Sequence, residues 1–139
     1  MEKSLEANVA PNAVLSPLML AYMGDCVFEI HVRKYLIDKY GDIKVNDIHK
    51  KATGFVRAKA QAMAVLALKD ELSDQEWGIV KRGRNQKSAT MPKNADATEY
   101  RYATGFEALI GYLYLNGLTE KLEEVIKKSI ELIEMQISQ

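Results

Sequence analysis

Two apolar stretches of this chain each hold one carboxylate. Residues 20–30 read LAYMGDCVFEI and residues 106–115 read FEALIGYLYL. Asp25 is the only charged residue from Ala7 to Phe28, and Glu107 the only one from Tyr102 to Thr119. An ionised carboxylate in a segment bound for the interior is costly unless something neutralises it. Two such acids, far apart in sequence, suggest a shared divalent cation held through oxygen ligands. Each also has a simpler account, as a helix-surface acid whose apolar neighbours are accidental. Glycine accompanies both: Gly24 adjoins Asp25, and Gly111 follows Glu107 by one helical turn. Glycine inside a helix costs about 1 kcal/mol relative to alanine. A close backbone approach, by another helix or by a ligand, would explain it.

A second kind of chemistry is suggested by clustered cations. Residues 81–93, KRGRNQKSATMPK, contain five positive charges and no acid, and residues 50–59, KKATGFVRAK, contain four and no acid. In the first run, Lys81, Arg82, Arg84, Lys87 and Lys93 alternate with Asn85, Ser88, Thr90 and, just beyond, Asn94. These side chains suit phosphate and sugar oxygens. The second run offers Lys50, Lys51, Arg57 and Lys59. A solvated charged surface is the plainer account of both. Basic patches can nevertheless bind phosphates in a protein of zero net charge, which this chain has. His31 and His49 read as ordinary polar residues, and Cys26 as packing.

The remaining composition sets bounds. The chain has 139 residues, 47% hydrophobic and 27% charged, which suits one globular domain with a real core. The start, MEKSLEANVA, lacks a basic segment followed by an apolar one, so no secretory signal is expected, and no apolar run has the length of a membrane span. One cysteine excludes an internal disulfide and fits a reducing, cytoplasmic setting. No Cys/His cluster has zinc spacing.

Helical periodicity dominates, so the carboxylates must be positioned by helices. Ser16–Pro17 is a cap followed by a first-turn proline, opening a helix to about Tyr40 that stops at Gly41. Asn46 is expected to cap a second helix to about Gly54, and an alanine-rich third spans about 55–69. Ser73 and Glu76 form a capping box for a helix over about 74–84. A loop, or a frayed helix followed by a loop, is expected over 85–96. Asp96 or Thr98 opens the next helix, ending near Asn116–Gly117, and Thr119 caps the last, to about Met135. An all-α domain of about six helices follows, over residues 15–136, with 1–14 as a mobile tail. In the first helix, Leu18, Met19, Leu20, Tyr22, Met23, Val27, Phe28 and Ile30 nearly encircle the axis. A helix apolar all round is buried on several sides, which predicts a subunit interface.

Taken together, these segments resemble the ribonuclease III family. LAYMGDCVFEI is similar to its signature helix and FEALIGYLYL to the later helix carrying its second essential acid. KVNDIHKKAT, KRGRNQKSATMPKNAD and YRYATGFEALIGYLYL resemble the small Mini-III branch in particular. The resemblance covers roughly residues 15–125 in the family's order. It implies a homodimeric endonuclease that hydrolyses double-stranded RNA with Mg2+, leaving 5′-phosphate and 3′-hydroxyl ends. Asp25 and Glu107 match the family's catalytic, metal-holding acids. Further acids of the longer enzymes are replaced by Leu18, Ala21 and Thr104, as in the Mini-III branch. The chain ends too early for the separate RNA-binding domain of the longer relatives, so the basic run would hold RNA itself. The branch further implies a role in maturing the large-subunit ribosomal RNA precursor. Two other functions stay open: a non-catalytic double-stranded-RNA-binding relative, and an all-α metal-dependent nucleotide hydrolase.

Overall fold

A computed structural model describes residues 15–86 and 96–139. The segment 1–14, together with Lys87, Lys93 and Asn94 of the basic run, lies outside the described residues. Among the described residues there are six α-helices and no strand: α1 Pro17–Tyr40, α2 Val45–Val56, α3 Ala58–Ala67, α4 Asp74–Arg84, α5 Ala97–Leu115 and α6 Thr119–Ile137. A short 3₁₀ turn, Lys69–Glu71, links α3 to α4. The expected all-α class holds.

Local chemistry sets most helix ends. The Ser16 hydroxyl accepts from the Met19 amide at 3.1 Å, and Pro17 occupies the first turn, where its missing N–H costs nothing. Gly41, at φ 69°, ends α1 by bonding its N–H to the Ile37 carbonyl. Ser73 and Glu76 form the reciprocal capping box of α4, and Asp96 caps α5 through the Glu99 amide.

Three expected boundaries move. Asn46 lies inside α2, whose N-cap position is Lys44 with no side-chain bond. The break between α2 and α3 falls at Arg57, whose extended backbone (ψ 156°) ends one helix and begins the next. Thr119 is the first residue of α6, not its cap, which is Leu118.

Helix α5 is the centre of the molecule, packed by α1, α3 and α4. From Gly105 to Leu113 every residue but Glu107 is buried. Phe28 of α1 meets Phe106 edge-to-face, centroids 4.9 Å apart. Helix α6 covers one side with Leu122, Val125, Ile126, Ile130 and Ile133 at helical spacing. It is tied to α1 where the Tyr35 hydroxyl and the Lys39 ammonium both donate to Glu134.

The apolar girdle of α1 divides into two faces. Leu20, Val27 and Phe28 are in the core, whereas Met19, Tyr22 and Ile30 stand in solvent, Tyr22 77% exposed and Ile30 60% exposed. Cys26 is also exposed, so it does not pack in the core as expected. Among the described residues no helix is long and apolar enough to cross a membrane.

Candidate active site

Two glycine crossings bring the site residues together. A β-carbon on Gly24 would lie 1.8 Å from the Glu107 carbonyl oxygen, and one on Gly111 would lie 1.9 Å from the Leu20 carbonyl oxygen. No side chain fits at either place, so α1 and α5 touch backbone to backbone. The glycines on both acid-bearing faces therefore serve a helix–helix approach. Asp25 follows Gly24 directly, and Glu107 supplies the backbone against which Gly24 rests.

The result is a carboxylate pair. Asp25 is exposed and Glu107 is half-buried. The Glu107 carboxyl is pushed up to about 8, first by burial, then by the charge of Asp25 and a hydrogen bond with it. The amide of Gln61 on α3 opposes part of that rise. Among the described residues, no cationic side chain acts on Glu107. Two adjacent hard oxygen donors without a protein counter-charge can hold a small divalent cation. Among the described residues, no group of three or more His, Cys, Asp and Glu converges in this way. Thr104, one turn before Glu107, donates its hydroxyl to the Tyr100 carbonyl at 3.0 Å, and Ala21, one turn before Asp25, is buried.

The second crossing joins α4 to α5. A β-carbon on Gly105 would lie 2.5 Å from the Val80 carbonyl oxygen, and one on Gly83 would lie 2.8 Å from the Gly105 α-carbon. This contact fixes the basic end of α4 against the helix that carries Glu107. Arg84 places its guanidinium 5.7 Å from the Tyr102 ring centroid, with Nη1 3.4 Å from the hydroxyl, and its Nε donates to Asn85 at 3.0 Å. Tyr102 and Glu107 are separated by about 8 Å along the α5 axis. Lys81 and Arg82 are exposed, with Arg82 reaching the Leu15 carbonyl at 3.5 Å.

Lys51 of the other basic run lies away from the carboxylates. Lys50, Lys51, Arg57 and Lys59 are all exposed. The Lys51 ammonium lies over the Tyr40 ring at 4.2 Å, at the far end of α1. Tyr40 is about 22 Å along that helix from Asp25. Arg57 and Lys59 border a small hollow between α2, α3 and α6. Neither histidine is among the groups acting on Glu107: His31 bonds the Val27 carbonyl through Nδ1 at 2.9 Å, and His49 is exposed. Glu29 and Arg33 pair along α1 at the surface, as their spacing predicts.

Gln61 was not evident from the chain. It is 2% exposed, in a helix whose other buried residues are alanine and valine. The available signal was of the same kind as for the acids: AKAQAMAVLA contains one uncharged hydrogen-bonding side chain.

Comparison with known proteins agrees with this architecture. The Ribonuclease III domain family matches residues 18–118. A Mini-ribonuclease 3 of Clostridium tetani is 49% identical over 86% of this chain and 80% of its own length. The Mini-ribonuclease 3 of Brevibacillus brevis is 48% identical over 89% of this chain and 91% of its own. A crystal structure of a Fusobacterium nucleatum protein superposes with a TM-score of 0.76 at 31% identity, covering 85% of this chain and 93% of that one. The chain belongs to the ribonuclease III family, in its Mini-ribonuclease 3 branch, and is an endoribonuclease of that type.

Proposed function

We propose that the chain is a Mg2+-dependent endonuclease for double-stranded RNA, with Asp25 and Glu107 as its catalytic metal ligands. The observation that carries this reading is the Gly24–Gly111 crossing, which sets Asp25 beside Glu107, with no cationic side chain among the described residues acting on Glu107. The donor set fits the ion: Mg2+ commonly takes one or two carboxylates and completes its shell with water and substrate oxygens. When bound, Mg2+ supplies an activated water and offsets charge on the phosphate under attack.

The chain's own residues do the rest. Glu107, its carboxyl raised to about 8 chiefly by burial, would have to release its proton to solvent to hold the ion. Asp25, at the solvent edge of the pair, is open to an incoming phosphate. Lys81, Arg82 and Arg84, with Asn85 and the neighbouring Lys87, Lys93 and Asn94, hold the RNA backbone. Lys50, Lys51, Arg57 and Lys59 contribute more remote phosphate contacts. A-form RNA offers a narrow major groove and a shallow minor groove. Recognition is therefore by shape, phosphates and 2′-hydroxyls, with little sequence preference.

The active species is a homodimer that pairs the exposed apolar face of α1 with its symmetry copy. The support is the line of Met19, Tyr22, Cys26 and Ile30 in solvent at helical spacing. Each subunit then cuts one strand of the duplex. The products carry 5′-phosphate and 3′-hydroxyl ends. Residues 15–136 form the catalytic domain, and the setting is the cytoplasm. Kinship with Mini-ribonuclease 3 supports the large-subunit ribosomal RNA precursor as substrate.

The test is a denaturing gel of duplex RNA incubated with the protein. Two discrete fragments with Mg2+ and none with EDTA are expected. Intact duplex in both lanes, with binding retained, would favour a non-catalytic RNA-binding protein.

A further inference from the structure

The buried amide of Gln61 needs an explanation. It is 2% exposed, and its Nε2 has no hydrogen-bond partner among the described residues. Leaving such a group unsatisfied costs about 1–3 kcal/mol. The surroundings do not call for it: Ala60, Ala62, Ala64 and Val65 of the same helix are buried apolar residues, among which Leu or Met would pack without that penalty. The amide is instead beside Glu107, close enough to favour its ionised form, while the pair falls short of hydrogen-bond geometry.

We propose that Gln61 is a positioning residue, whose Nε2 donates to the ionised Glu107 carboxylate and turns it toward Asp25 in the orientation a divalent cation requires. The inference rests on the metal-site reading above. Glu107 lies beside both Asp25 and the amide, and Nε2 of that buried amide has no partner in full hydrogen-bond geometry among the described residues. An ionised carboxylate has two oxygens and about four acceptor sites. One oxygen can face the cation while the other takes the amide hydrogen. Groups of this kind, one step behind the ligand, fix its orientation, and their loss costs about 10–100-fold in metal affinity. A bond from Gln61 to the Glu107 carboxylate is charge-assisted and fixes the orientation of the ligand from behind.

The test uses the full chain without RNA. Mn2+ binding is measured by calorimetry for wild type, Gln61→Met and Val65→Ala, with thermal unfolding in EDTA. Met matches the shape of Gln and lacks the donor, and Val65 is a fully buried neighbour that only packs. Gln61→Met is expected to bind Mn2+ about tenfold or more weakly, and to unfold in EDTA at the wild-type temperature or above. Half-saturating Mg2+ for cleavage should rise in step, with KM for RNA unchanged. Val65→Ala should lower the unfolding temperature and keep wild-type Mn2+ affinity. Wild-type affinity in Gln61→Met would overturn the inference and leave the metal site standing. No Mn2+ binding by wild type would overturn both. If Gln61→Met fails to fold, the side-chain amide signal of Gln61 in wild type decides by NMR. A shift that saturates with Mg2+ supports the role, and an unmoved signal overturns it.

Discussion

The α-carbon of Gly24 rests against the carbonyl of Glu107 so closely that a β-carbon would come within 1.8 Å of that oxygen. The atom in the way is backbone of a buried helix and cannot swing aside. The same approach that packs α1 on α5 therefore sets the spacing of the two acids. Gly24→Ala should destabilise the fold by at least the roughly 1–3 kcal/mol typical of overpacking, or prevent folding. Gly78→Ala, where a β-carbon meets nothing within 4 Å, should be neutral or stabilising by up to about 1 kcal/mol. Denaturant unfolding of both variants checks this. A Gly24→Ala protein as stable as wild type would contradict the close approach.

Protonation of Glu107 gives the metal-free protein a distinctive pH dependence. The group titrates at about 8 in the fold against 4.5 ordinarily, chiefly because it is buried and lies near Asp25. Between those values the folded state binds more protons than the unfolded one, so unfolding free energy falls as pH rises. The contribution is fully present below 4.5 and gone above about 8. Its slope is at most about 1.4 kcal/mol per pH unit. In EDTA, wild type should lose stability across this window, and Glu107→Gln should lose markedly less. Parallel curves for the two proteins would exclude the raised carboxyl.

Binding and chemistry should separate in the basic residues. Replacing Lys81 and Arg82 with alanine should weaken duplex-RNA affinity and flatten its salt dependence, the slope falling by roughly one for each phosphate no longer neutralised. Cleavage at saturating RNA should change little, since the carboxylates are untouched. The Lys50/Lys51 double variant should show a smaller loss, because Lys51 sits at the far end of α1 from Asp25. Salt-titrated binding of the two double variants makes the comparison. Equal losses would mean the RNA path runs over both surfaces alike.

The exposed face of α1 predicts a dimer sensitive to single charges. Tyr22→Glu or Ile30→Glu alters a side chain already in solvent, so the subunit should fold. Light scattering should fall from twice 15.7 kDa to about that mass. A wild-type monomer would contradict the dimer, and a dimer indifferent to both changes would place the interface elsewhere.

What could be read from the chain alone was local. Ser16–Pro17, Gly41 and the Ser73/Glu76 box fix helix ends through bonds within four residues, and each lies where its chemistry puts it. The Arg57 break was hidden, because α2 and α3 carry no side-chain cap at that junction. Glycines beside both acids signalled a close approach, though not that each lies against the other's helix. That Lys51 is far from the acids while Arg84 is fixed on the helix of Glu107 depends on packing between distant segments. Gln61 escaped notice because a neutral amide in an alanine-rich helix is ordinary until its burial is known.

The central claim is that Asp25 and Glu107 act as one ligand pair. Single-turnover cleavage of duplex RNA by Asp25→Asn and Glu107→Gln, at saturating Mg2+, tests it most directly. Both changes keep side-chain shape and remove the charge. Each variant should fold, bind duplex RNA as wild type does, and cut about a thousandfold more slowly or not at all, a loss of at least about 4 kcal/mol of transition-state stabilisation. A folded variant of either kind that cuts within about tenfold of the wild-type rate, a difference of no more than about 1.4 kcal/mol, would contradict the account.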